Sequence, residues 1–212
     1  MTSSRVDLAE LQSLLRERDV GARVIVGLAG PPGSGKSTLA ESLVEALNSD
    51  DPGRAAVLPM DGFHYDDLYL VPAGLRPRKG APETFDVGGF RHALLRLKSG
   101  EEEYVAVPIF DRQLEIARAG ARLIPKSTRI IVVEGNYLLL RRRPWSDLYP
   151  LFDVTVLIET PMDVLRERLT ARWRGYDLTP AQIDEKLDGN DLPNGRLIMS
   201  EGAEPDFRLA NG

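Results

Sequence analysis

The chain has no cysteine in 212 residues, which excludes a disulfide framework and any zinc–thiolate site, and leaves nothing to argue for an oxidising compartment. His64 and His92 are its two histidines, so a multi-histidine metal cage is excluded too. Lysine is scarce, 5 against 22 arginines, a bias that reflects genome composition better than function. No apolar run is long. Residues 24–29, 130–133 and 137–140 carry the longest, far short of the roughly 20 residues needed to span a bilayer. The first residues lack the apolar core of a secretory signal. A net charge of −5 repels a polyanion over most of the surface, so nucleic acid is not an expected partner and any anion must be caught locally. The expectation is a cytoplasmic protein without membrane insertion.

Ordinary proportions of hydrophobic (42%) and charged (28%) residues predict a compact fold, and the length suits one domain spanning 1–212. Leu8, Leu11 and Leu15 repeat at helical spacing within 4–18, with Ser4 and Asp7 in the form of a capping box. Residues 23–29 (RVIVGLA) form a short β-branched run of the kind buried on both faces of a parallel sheet. A glycine loop follows, then a helix over 37–47. The alternation continues with strands at 55–59, 130–134 and 154–158 and helices at 87–97 and 162–173. This predicts right-handed βαβ units in a three-layer αβα sandwich, with a mostly parallel sheet of five strands in the order 2-3-1-4-5. Residues 61–85 show no periodicity, and loops of that length tend to carry function.

The loop reads GPPGSGKS. Gly30, Gly35, Lys36 and Ser37 satisfy G-x-x-x-x-G-K-[ST], with Pro31, Pro32, Gly33 and Ser34 between them and Thr38 after. Glycines let the backbone curl until its N–H groups face phosphate, Lys36 neutralises the β and γ phosphates, Ser37 ligates Mg²⁺, and the following helix presents its positive end. A second acid is expected at the metal, and the strand RIIVVEG ends in Glu134. A bound nucleoside triphosphate and Mg²⁺ are expected, with ATP and Mg²⁺ as the expected cofactors.

What the held phosphate is for depends on the rest. The guanine-reading N/T-K-x-D segment of GTPase switches is missing. Asp61, in PMDGFHYDD, follows the apolar end of the second strand and belongs at the carboxyl edge of the sheet, where a carboxylate can take the proton of an attacking hydroxyl.

Six segments in order, GLAGPPGSGKSTLA, MDGFHYDD, KGAPETFD, VPIFDR, IIVVEGNYLLL and RERLTARWRG, resemble the uridine kinase, phosphoribulokinase and pantothenate kinase branch of P-loop kinases. The likeness is strongest to bacterial proteins that carry the name fructose transport system kinase. The resemblance implies that Asp61 is the general base, that Lys36 and Ser37 belong to the cradle, and that Glu134 follows the Walker B strand. It implies that Arg168 and Arg172 are lid arginines in a segment of about 162–180, and that about 61–125 is an acceptor-side insertion. It also sets NDLPNG, with Asn194, in a late turn near the adenine. Where uridine kinase has a histidine and an arginine for the nucleoside, this chain has Glu115 and Ala117, which puts uridine in doubt.

On the acceptor side, Arg76, Arg78 and Lys79 could hold an anionic group or face solvent, and His64 and Tyr65 could bond acceptor hydroxyls or pack in the core. Phe85, Asp86, Phe110 and Arg112 resemble acceptor-lining positions, with Arg112 able to pair with Asp111 or with substrate. The expected function is an ATP-dependent phosphotransferase acting on a hydroxyl of a small metabolite (sugar, nucleoside-like or pantothenate-like alcohol), with a homodimer open. The rivals are a nucleotide-binding regulatory module and a partner-coupled NTPase, neither of which needs Asp61 as a base.

Overall fold

The structure, a computed structural model, describes residues 3–212. Among these the strands are β1 (Ser4–Arg5), β2 (Val24–Ala29), β3 (Ala55–Pro59), β4 (Tyr104–Asp111), β5 (Ile116–Pro125), β6 (Ile130–Gly135), β7 (Val154–Glu159) and β8 (Phe207–Ala210). The helices are α1 (Leu8–Arg18), α2 (Lys36–Leu47), α3 (Asp67–Leu70), α4 (Val87–Ser99), α5 (Met162–Arg174), α6 (Pro180–Lys186) and α7 (Leu192–Glu201). The central sheet is parallel throughout, in the order β1-β8-β7-β2-β6-β3.

Five of these strands stand in the expected 2-3-1-4-5 order, but the sheet has six. The sixth comes from Ser4 and Arg5, which pair with Phe207 and Arg208 at the edge. A strand of two polar residues has no periodicity to betray it. It also displaces the expected capping box by one turn: α1 starts at Leu8, with Asp7 accepting from the Glu10 amide and Glu10 returning a bond to the Asp7 amide.

The three layers follow from alternation along the buried strands. Val24, Val26 and Leu28 point to one face, where they meet Leu11 and Leu15 of α1 and Leu43 and Leu47 of α2. Ile25 and Ala29 point to the other, packed with Phe90, Leu94 and Leu97 of α4. Successive strand side chains take opposite faces, so a strand apolar at every position needs a helical layer on each side.

β4 and β5 form a separate antiparallel hairpin whose register shifts between Val107 and Ile109, at Pro108. Proline cannot donate to a ladder, and the irregularity bends the hairpin there. Arg122 on β5 ties it to the sheet by donating to the Val57 carbonyl at 2.5 Å. The hairpin thereby sets Phe110 and Arg112 over the carboxyl ends of the strands.

Candidate active site

The phosphate loop needs its glycines for conformation. Gly33 and Gly35 lie at φ +81° and +82°, in the left-handed region that L side chains rarely adopt. A Cβ on Gly35 would also fall 2.5 Å from Asn211 Nδ2, and Asn211 braces the loop by donating to the Ser34 carbonyl at 2.7 Å. Gly35 caps α2, so the positive end of that helix opens beside Lys36. Lys36 is buried, its Nζ donating to the Pro31 carbonyl at 3.1 Å.

Strand register brings the acids to this point. Leu28 pairs with Glu134 on β6, and Glu134 pairs with Pro59 on β3. Glu134 therefore lies one row below the loop, and Asp61, two residues past Pro59, enters from the next strand. A 3₁₀ turn at Met60–Phe63 lifts Asp61 off the sheet edge. Its Oδ2 accepts from Arg112 Nη2 at 2.6 Å, and among the described residues no hydrogen bond reaches Oδ1.

The electrostatics of the cluster are coupled. Burial pushes Lys36 down to about 8 against the pull of Glu134 and Asp61, with Arg172 and Arg112 lowering it further. Burial, then the Asp61 charge, pushes Glu134 up to about 7. Burial acts to raise Asp61, but electrostatic attraction to His64, Arg112 and Lys36 outweighs it and holds it below the usual carboxylate range. Arg172 is lowered by burial and then by Arg112, and it has no hydrogen-bond or ion-pair partner among the described residues. Lys36, Arg112 and Arg172 converge on Asp61 and Glu134, an excess of positive charge suited to a polyphosphate anion.

These groups share a cavity of about 830 Å³. Of the expected nucleotide residues, Pro32, Gly33, Gly35, Lys36, Ser37, Thr38 and Asn194 line it, whereas Gly30, Pro31 and Ser34 do not. Of the rest, Asp61, His64, Arg78, Lys79, Phe85, Phe110, Arg112, Glu134 and Arg172 line it.

Three expected residues are placed elsewhere. Arg168 donates to the Asn211 carbonyl at 3.1 Å, behind the phosphate loop. Asp86 is exposed and caps α4, accepting from the Gly89 amide at 2.8 Å. Tyr65 packs against Tyr69 with ring centroids 5.0 Å apart. The NDLPNG segment is no turn: a π-helical stretch, Leu187–Asp191, runs directly into α7, with Pro193 in its first turn. Asn194 donates to Asn190, which donates to the Lys79 carbonyl at 3.0 Å, so this amide pair braces the loop at residues 76–80.

The loop around residues 76–85 is held from beneath by aromatics. Tyr137 Oη donates to the Gly80 carbonyl at 2.6 Å and Trp145 Nε1 to the Pro82 carbonyl at 3.2 Å, while both rings pack on Phe85. The opposite wall was not foreseen in its extent. It runs past Arg172 and Trp173 through Gln182, Glu185, Lys186, Asn190 and Asp191, on a small core of Leu169, Ile183, Leu187 and Leu192. Trp173 Nε1 donates to Asp191 at 2.7 Å and Lys186 lies over its ring, which makes Trp173 a strut of this wall. Polar residues at 182, 185, 186 and 190, with Gly189 between the last two, recur at the three- and four-residue spacing of one helical face, a signal that could have found them.

Among the described residues, no helix is long and apolar enough to cross a membrane. Residues 25–180 match the Phosphoribulokinase / Uridine kinase family. A "putative uridine kinase" of Schizosaccharomyces pombe is 34% identical over 194 residues, covering 88% of this chain and 83% of that one. An uncharacterized protein of Escherichia coli K12 is 38% identical over 202 residues, covering 94% and 81%. The crystal structure of a "putative fructose transport system kinase" from a Silicibacter species superposes with a TM-score of 0.88 at 42% identity, covering 96% of this chain and 98% of that one. The chain belongs to the phosphoribulokinase / uridine kinase family and is an ATP-dependent kinase of small molecules.

Proposed function

We propose that the protein transfers the γ-phosphoryl group of ATP to a hydroxyl of a small metabolite, with Asp61 as the residue that orients the hydroxyl and takes its proton. The observation that carries this reading is the open Oδ1 of Asp61, in the same cavity as Lys36, Glu134 and Arg172. In the transfer, the acceptor oxygen bonds to the γ phosphorus as the bond from that phosphorus to the β–γ bridging oxygen breaks. The hydroxyl proton passes to Asp61, and ADP leaves with the bond's electron pair.

The Ser37 hydroxyl and the Glu134 carboxylate suit a hard divalent cation. They are oxygen donors side by side at the phosphate loop, and few enough to leave room for phosphate and water, as Mg²⁺ requires. Mg²⁺ bound there would offset the charge that develops on the phosphates. Lys36 fixes the β and γ phosphates, and Arg172, unpaired on the lid helix α5, is free to complete the site from above. Arg112 holds Asp61 in one orientation while leaving Oδ1 open.

The test is ADP release from Mg-ATP across sugars, nucleosides and hydroxy acids, with the phosphorylated product identified. Stimulation by one acceptor class, with phosphate recovered on that acceptor, is the expected result. Slow hydrolysis that no acceptor changes would instead favour a regulatory or partner-coupled NTPase.

A further inference from the structure

Given a transferase of this kind, the class of acceptor can be read from the charges on the wall that faces Asp61. On the loop side, Lys79, Arg76, Arg78 and Arg112 are each bonded to a carboxylate of this chain, with Lys79 and Arg76 sharing Asp67. Lys79, with a side chain 6% exposed, donates to Asp67 Oδ1 at 2.8 Å and to the Glu115 carbonyl at 2.7 Å. Arg76 takes the other oxygen of Asp67 at 2.7 Å. Arg78 donates to Glu83 at 2.5 Å and Arg112 to Asp61 at 2.6 Å. A ligand carboxylate or phosphate would have to displace one of these acids and leave it unpaired beside the ligand's own charge. Glu115 adds a further negative charge to the cavity wall, 3.9 Å from Arg76.

The open polar atoms suit hydroxyls instead. His64 Nδ1 lies 2.8 Å from the Asp61 carbonyl oxygen. A carbonyl only accepts, so Nδ1 carries the proton and Nε2 of the neutral ring presents a lone pair. No protein donor reaches Nε2 among the described residues. The imidazole is packed between Phe85 and Phe110, with ring centroids at 4.0 Å and 4.7 Å, which fixes the direction of that lone pair. Burial keeps the ring neutral by lowering its pKa. Asp61 Oδ1 is a second open acceptor within the same wall.

We infer that the acceptor is an uncharged polyhydroxy compound, a sugar or polyol without carboxylate or phosphate, one of whose hydroxyls donates to Asp61 Oδ1 and a neighbouring one to His64 Nε2. The pairing of Lys79, Arg76 and Arg78 with their own acids thus acts as a filter against anionic relatives of the substrate.

The experiment measures calorimetric binding of matched sets to the enzyme carrying Mg²⁺ and a non-hydrolysable ATP analogue, with ADP release from Mg-ATP run in parallel. Each set comprises a pentose, hexose or polyol, its phosphate monoester, its sugar acid and its single-hydroxyl deoxy analogues. The uncharged member should bind at least about tenfold more tightly than its phosphate or acid, and loss of one particular hydroxyl should cost about tenfold or more. In His64→Phe, which keeps the aromatic stack, the ratio between parent and that deoxy analogue should fall towards one. Binding with this preference but without ADP release would support the inference and count against the transferase reading. Equal or tighter binding of the anionic member, a deoxy penalty unchanged in His64→Phe, or no binding by any uncharged member would overturn the inference. Turnover of an anionic member would do so while leaving the transferase reading intact.

Discussion

Arg112 Nη2 donates to Asp61 Oδ2 across 2.6 Å, joining the end of the β4–β5 hairpin to the loop that follows β3. The contact links residues 51 apart in the chain and gives the carboxylate one occupied and one open oxygen. It also helps to keep Asp61 ionised, which suits the proposed role of orienting a hydroxyl at neutral pH and taking its proton only as transfer proceeds.

Replacing Arg112 by Gln should therefore act through Asp61. With the positive charge removed, the Asp61 carboxyl moves up, and the acidic limb of the kcat profile moves to higher pH. We expect kcat to fall by about one to two orders of magnitude, with ATP affinity little changed. A pH profile over the acid range, compared with wild type, checks this. A limb that stays in place would mean that Arg112 does not govern Asp61.

Lys36 has a different job. It is the buried cation of the phosphate loop, and burial disfavours its charge until phosphate arrives. Lys36→Ala should weaken ATP binding by about tenfold or more and lower kcat by about 10²-fold. Calorimetry with ATP and steady-state rates separate the two effects, and unchanged ATP affinity would count against the cradle.

Arg172 lines the cavity from α5 without a partner of its own among the described residues. Removing it breaks no internal pair, so Arg172→Ala should leave the unfolding midpoint close to wild type while kcat falls by about 10²–10³-fold. Urea denaturation beside kinetics tests the combination. A large loss of stability would assign the arginine to the scaffold.

His64 supplies a stability test. Burial holds its folded pKa below that of a free imidazole, so the unfolded chain binds more protons, and stability falls as pH drops below about 6.5. His64→Gln removes this contribution. Between pH 7 and 5 the variant should lose less unfolding free energy than wild type, as measured by urea titrations at each pH. An equal loss in both proteins would show that His64 does not titrate across the transition.

The difference between what could and could not be read in advance has physical causes. GPPGSGKS and the apolar strands are local signals, because a glycine loop and a strand buried on both faces are each written in consecutive residues. Partners are not local. Arg76, Arg78 and Lys79 form a basic cluster in the sequence, yet the fold gives each an acid, so a loop that suggested an anion site is neutralised. Asp86 is held by a capping bond to Gly89 and Arg168 by the Asn211 carbonyl, demands that outrank a role in the cavity. The arginine bias also acquires a use in places: Arg23 alone donates to the carbonyls of Leu97, Pro125, Lys126 and Thr128, pinning the region where α4 and the hairpin meet the sheet.

The central claim is that Asp61 serves transfer and not ATP binding. The most direct measurement compares Asp61→Asn with wild type, using the acceptor that most stimulates ADP release, and records transfer rate and ATP affinity on the same preparations. The account predicts that transfer falls by about 10²–10⁴-fold while ATP affinity stays within a few-fold. Transfer that survives, or a loss of ATP binding equal to the loss of rate, would contradict it.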